Sequence, residues 1–156
     1  MNIEKWNAKT AAYLDKLLTD QTEENPVIYF NSDDGVVFAD RGGLWARFLP
    51  EHQVLSASPK HSSSYLKKFF DEAVNRSVLA DVETGKVNGK KCRKLTHGDT
   101  TVYVYEKLLR DFPKNALFYV SGETKPVLVC LEDFGSFHAI ALVMPFRIKS
   151  SPFVSC

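Results

Sequence analysis

Two helical stripes stand out along the chain, set among short apolar runs. Between about residues 8 and 19, Tyr13, Leu14, Leu17 and Leu18 recur at the spacing of one helix face, with Lys9, Asp15, Lys16 and Asp20 off it. Asn25-Pro26 ends this element, because the residue before a proline is pushed out of the helical region. Residues 27–30 and 36–38 read as strands around Asn31-Ser32-Asp33-Asp34-Gly35, a hairpin signal in which the glycine supplies a positive φ. A third strand runs from Leu44 to Leu49 and stops at Pro50. The Ser-, Pro- and His-rich stretch 51–64 reads as a loop. Ser62, Ser63 or Ser64 is expected to cap the second helix through its hydroxyl, and that helix carries Tyr65, Leu66, Phe69, Phe70, Ala73 and Val74.

Further along, a strand is expected at 78–83, and Asn88-Gly89 marks a tight hairpin between about Val82 and Leu95. A short strand at 101–104 leads into a third helix with Leu108, Leu109 and Phe112, ended by Pro113. The remainder reads as strands at 116–120, 126–130 and 137–146, with a turn at Ser121-Gly122-Glu123-Thr124. The pattern predicts an α+β fold, with antiparallel strands and two or three short helices packed on one face. Residues 1–148 form a single domain in this reading, and residues 149–156 a loose tail.

Composition bounds the function classes. With 156 residues, 44% hydrophobic and 25% charged, the chain suits one ordinary globular domain. Twenty basic against 19 acidic residues leave a formal charge of +1, which excludes a globally basic nucleic-acid binder but not a local basic face. Nothing approaches the roughly 18 consecutive apolar residues of a membrane span, so no membrane partner is expected. Met1 to Trp6 lacks the basic-then-apolar run of a signal peptide. Cys92, Cys130 and Cys156 are odd in number, far apart and without a C-x-x-C pair. A reduced, cytoplasmic setting follows, with Cys130 as a small buried hydrophobe.

Chemistry is sparse. No phosphate-binding loop, dinucleotide fingerprint or nucleophile elbow occurs. Gly42-Gly43 reads as a turn or bulge rather than a phosphate cradle. His52, His61, His97 and His138 are too dispersed for a local metal motif, so no catalytic residue, metal or cofactor is assigned. Asp33-Asp34 and Glu132-Asp133 fall in turns, where Asp bonds its own backbone. A small hydrolase using His97 or His138 with a nearby Asp has no supporting motif. The basic cluster is more informative: Lys86, Lys90, Lys91, Arg93 and Lys94 place five cations within nine residues around Asn88-Gly89. Such a finger can contact phosphates, or it can be a solvated hairpin that keeps a strand edge from pairing. Lys67, Lys68 and Arg76 add helix cations, with Asp71 and Glu72 on the same surface. These eight cations are the nucleic-acid contact candidates.

The string from Val102 to Leu109, then Ala116-Leu117-Phe118-Tyr119-Val120, Gly122 and Pro126-Val127-Leu128-Val129, and the ending Ala141-Leu142-Val143-Met144-Pro145-Phe146-Arg147-Ile148, resembles bacterial DNA sliding clamps. The last clamp domain closes on a Met-Pro-x-Arg-hydrophobic motif, to which Met144-Pro145-Phe146-Arg147-Ile148 is similar. The N-terminal match is thinner: Pro26-Val27-Ile28 and Val36-Val37-Phe38-Ala39-Asp40 resemble the clamp pattern, but of the Gly-His-Arg-Leu that follows only Leu44 corresponds. Residues 51–100 match nothing in the family.

The resemblance implies the processivity-clamp fold, with helices inside a ring and sheets outside. It also implies an apolar pocket for short linear peptides, formed by Leu142, Val143, Met144 and Pro145 with Leu44 on the other wall. Strand alternation puts Leu142, Met144 and Phe146 on one face and Val143 and Pro145 on the other. The tail segment Pro152-Phe153-Val154 is apolar enough to reach back over this pocket. The leading expectation is a non-enzymatic clamp-like protein of bacterial or phage DNA replication, docking protein partners, contacting double-stranded DNA and assembling as a homo-oligomer. The alternative is a monomeric clamp-fold module, a decoy, adaptor or inhibitor that binds a protein without encircling DNA.

Overall fold

Asn2 opens the first helix, its side-chain oxygen accepting from the Lys5 amide at 2.9 Å. In the computed structural model, which describes residues 2–39, 44–54, 63–148 and 152–156, this helix is α1 (Ile3–Asp20). It starts earlier than its stripe predicts, because Trp6 extends the buried face and is itself wholly buried. The expectations placed on Asp40, Gly42, Gly43, His61 and Ser62 lie outside the described residues.

Eleven strands follow among the described residues: β1 (Ile28–Ser32), β2 (Gly35–Ala39), β3 (Trp45–Pro50), β4 (Val78–Leu79), β5 (Asp81–Val87), β6 (Lys90–His97), β7 (Thr100–Tyr105), β8 (Leu117–Val120), β9 (Val127–Asp133), β10 (Ser136–Val143) and β11 (Phe153–Ser155). The second helix, α2 (Ser64–Arg76), lies between β3 and β4. A large sheet has the order β1-β2-β3-β10-β9-β8-β4, and a small one the order β11-β5-β6-β7. Every pairing is antiparallel. The large sheet is two three-stranded meanders, β1-β2-β3 and β8-β9-β10, joined where β3 meets β10 through the pairs Arg47–Ala141, Ala46–Leu142 and Trp45–Val143, with the short β4 added at the edge on β8.

The large sheet is covered on both faces, and the two helices take opposite ones. Alternation along β2 sends Val36 and Phe38 to a cluster with Leu14 of α1. It sends Val37 and Ala39 to a cluster with Phe70 and Ala73 of α2. The same division runs through β9, where Val129 and Leu131 pack with Trp6 while Leu128 and Cys130 pack with α2. The expectation of helices on one face is therefore corrected. A strand buried on both sides needs a continuous apolar run, and Val36-Val37-Phe38 and Val127-Leu128-Val129-Cys130-Leu131 supply it.

The small sheet packs on the α1 side of the large one, through Leu95, Val102 and Val104 against Phe118, Val120 and Val127. Beside it Arg47 is only 4% exposed, its guanidinium 4.7 Å from the Trp45 ring centre, 4.9 Å from Tyr13 and 5.2 Å from Trp6. One of its nitrogens also meets Asp111 at 3.2 Å. Aromatic faces on several sides, together with a carboxylate, make this buried cation tolerable.

Three further expectations are corrected. Leu108, Leu109 and Phe112 do not sit on a third helix. Glu106–Leu108 is one 3-10 turn, continued by i→i+3 bonds from Leu109 to Glu106 and from Phe112 to Leu109. Pro113 leaves too few residues to offset helix nucleation, and Leu109 and Phe112 plug the core instead. Ser63 occupies the N-cap of α2, but its hydroxyl makes no cap bond. The tail is not loose: Phe153–Ser155 is β11, paired with β5. Its ring lies over Gly85, where an added Cβ would stand 2.3 Å from the Phe153 ring. Glycine at 85 is what lets the strand dock, and Pro152-Phe153-Val154 is thereby held on the small sheet rather than over the expected pocket.

Candidate functional site

The end of β10 divides the residues expected to form the pocket. Val143 points to the α1 side and is completely buried in the core, while Leu142 points to the α2 side. Met144, 38% exposed, follows at the strand end, where its amide donates to the Leu44 carbonyl at 2.8 Å. Leu44 is thus tied to the strand end through its backbone, and its side chain is 44% exposed. Pro145 is half-buried beyond the strand. Phe146 does not continue the Leu142–Met144 face as alternation predicts. Its amide donates to Tyr103 at 2.9 Å and its ring stacks on Tyr105 at 3.9 Å, in the small sheet.

Leu142 and Met144 line a groove, whereas Leu44, expected on its other wall, is not among the lining residues. Ala39, Ala46 and Pro126 complete the strand-side wall, and Leu66 and Phe69 of α2 form the other, around about 280 Å³ of almost wholly apolar space. A second hollow of about 320 Å³ shares Phe69, Pro126 and Met144 with the first and continues along α2 past Ala73 to Glu72, Arg76 and Lys125. Leu66, Phe69, Ala73 and Arg76 follow one another at i, i+3, i+7 and i+10, so a single helix stripe walls the whole groove. Phe69 remains 48% exposed on the rim. The signal was present in the sequence: α2 carries six apolar positions, but only Phe70 and Ala73 are buried.

On the α2 side of the large sheet, burial pushes the Cys130 thiol up to about 11, so it stays neutral as a small hydrophobe in the cluster of Leu128 and Leu142. A larger cleft, about 560 Å³, lies elsewhere, where β3 and β10 part beyond Arg47. Ile3 and Asn7 reach it from α1, Phe70 and Lys67 from α2, and His138 lines it from β10. Lys67 is paired there with Asp71 at 2.9 Å. His97 ends β6 of the small sheet, so the two histidines considered for hydrolysis sit on different sheets. Among the described residues no group of His, Cys, Asp and Glu is placed to hold a metal ion.

The eight cation candidates do not form one surface. Lys67, Lys68 and Arg76 belong to α2, on one side of the large sheet, and the other five to the small sheet on the other side. Several are engaged within the fold. Arg93 makes a two-pronged pair with Glu106 at 2.9 and 2.8 Å, Lys94 stands 5.7 Å over the Phe153 ring, and Lys90 lies 5.7 Å over Tyr105. Lys86 and Lys91 face each other across β5 and β6. Lys90 and Lys91 join Lys107 and Arg110, cations outside the sequence cluster, around an open cleft of about 450 Å³.

No protein-family model matches the chain, and neither the curated proteins nor the solved structures contain a significant match to it. Among the described residues no helix is long and apolar enough to cross a membrane.

Proposed function

We propose that this protein is an interaction module that docks an apolar segment of a protein partner in the groove between α2 and the ends of β9 and β10. One observation carries the reading: α2 turns Phe69 outward beside Met144, so two large apolar side chains rim an apolar hollow without closing it. Bulky anchors entering desolvated hollows carry most of the affinity in such interfaces. Arg76 and Lys125 at one end outnumber Glu72 there and favour a carboxylate in the ligand. The preferred segment therefore pairs one or two bulky apolar side chains with an acidic residue.

This is the interaction-module alternative, which binds a protein without encircling DNA, rather than the encircling clamp. Helices on opposite faces of the large sheet speak against a ring in which both line one inner surface, and the division of the cations speaks against a continuous phosphate track. Selection from a displayed random-peptide library tests the proposal. Enriched sequences should combine bulky apolar and acidic residues, and Phe69→Glu should abolish their binding. A library without enrichment, or binders indifferent to Phe69→Glu, would overturn it.

A further inference from the structure

Two tight turns in this molecule share one backbone geometry and differ in a single residue. Between β5 and β6 the turn is Asn88-Gly89, with φ of 51° and 76°. Between β9 and β10 it is Phe134-Gly135, with φ of 52° and 80°. Both central residues lie in the left-handed region, which Asn and Gly tolerate and a bulky aromatic does not favour. Asn88 is the residue this geometry selects. Phe134 is not, and its ring repays nothing inside the fold, since the residue is 100% exposed. Phe137, 58% exposed, stands close behind it on β10; of the two carboxylates that precede the turn, Asp133 accepts from the Ile3 amide at 3.2 Å and Glu132 is exposed. A large apolar side chain held outward on a tight turn at a conformational disadvantage is shaped for a surface that the chain itself does not bring to it.

The groove offers the matching chemistry: an apolar hollow rimmed by Phe69 and Met144, whose far end holds two cations, Arg76 and Lys125, against one carboxylate, Glu72. The acidic, aromatic turn and the apolar, basic-ended groove are complementary in charge as well as polarity. They lie at opposite ends of the same hairpin, because Pro126 precedes β9 and Phe134 follows it. Eight residues at about 3.3 Å each separate them by roughly 25 Å, so a turn cannot fold back into its own groove.

We propose that the β9–β10 turn of one copy, anchored by Phe134, occupies the α2 groove of a second copy. The inference rests on the groove being a docking site and identifies one of its occupants. The contact joins two different surfaces, so it is head-to-tail and leaves a free turn at one end and a free groove at the other. Repetition then gives rings or open chains, according to the rotation between neighbours.

Two variants of the full chain test this. Phe134→Asn makes the turn Asn-Gly, like its twin at Asn88-Gly89, and so removes the anchor while favouring the hairpin. Phe69→Glu spoils the groove from an exposed rim position. By sedimentation velocity the wild-type mass should rise with concentration beyond one chain, whereas each variant alone should remain at one chain. Mixed, they should form a dimer and nothing larger, since Phe69→Glu still supplies a turn and Phe134→Asn still supplies a groove. A wild type that stays at one chain at every concentration, a Phe134→Asn that assembles like the wild type, or a mixture without dimer would each overturn the proposal. Groove-binding library peptides without the mixed dimer would sink self-association and leave the docking function standing. Absence of both would remove both.

Discussion

α1 and α2 carry similar apolar stripes and put them to different uses. α1 spends its stripe inward: Trp6, Thr10 and Leu14 are completely buried, and Trp6 stacks on Phe112 at 5.4 Å. α2 buries Phe70 and Ala73, with Phe48 stacked on Phe70 at 5.2 Å, and leaves Tyr65, Phe69 and Val74 in solvent. Apolar residues beyond those the core consumes are the part of an amphipathic helix free for a partner. One helix seals the core, and the other roofs a surface left partly open.

The contrast can be broken at its heaviest point first. Trp6→Ala removes a wholly buried ring and should cost about 3–5 kcal/mol, visible as a large drop in the urea midpoint. A loss under about 1 kcal/mol would mean that α1 is not the sealing helix.

The floor under α2 is tested by pH. The Cys130 thiol ionises near 9.0 when exposed and only near about 11 in the fold. Its folded value is raised, so its contribution is complete below the unfolded value and is lost as pH rises through the window from 9.0 to about 11. Up to about 2–3 kcal/mol should go over that window, and Cys130→Ala should flatten the slope although it starts less stable. Parallel slopes for the two proteins would show that the floor is wet.

Capping separates the helices more finely. Asn2→Ala removes a side-chain cap and should cost about 1 kcal/mol, whereas Ser63→Ala should fall within about 0.5 kcal/mol of wild type, because that hydroxyl caps nothing. Equal losses in the two thermal transitions would erase the distinction. Smallest in stability and largest in binding is Phe69→Glu. At a half-exposed position it should shift stability by no more than about 0.5 kcal/mol in either direction while removing peptide affinity. A strongly destabilised Phe69→Glu would instead place Phe69 in the core.

Much of the fold was legible wherever one local signal decides. Asn88-Gly89 fixed its hairpin through backbone preference alone, and both long helix stripes announced α1 and α2. What escaped depended on distant partners. The Leu108, Leu109 and Phe112 spacing suits a helix and a core plug equally, and Pro113 with the neighbouring sheet decides between them. β11 is three residues long, and its pairing depends on the bare backbone at Gly85, far away in sequence. The choice of face for each helix lay hidden because β2 and β9 are apolar on both sides. Of the groove, alternation separates Leu142 from Val143 correctly, but it misplaces Phe146, since the strand ends at Val143 and Pro145 redirects the chain. The helix wall was readable only as a surplus of apolar residues on α2.

The route of the chain after β10 also sets an order of events during synthesis. β5, β6 and β7 are consecutive and can pair as soon as Tyr105 has emerged. Until later residues arrive, that meander has two bare edges. Phe146 then bonds to Tyr103 on the outer side of β7, and Phe153–Ser155 pairs with β5, with Cys156 bonding to Thr84 at 3.1 Å. Through the making of some forty residues the small sheet is a template for any passing strand, which is the interval in which a nascent chain is most exposed to mispairing.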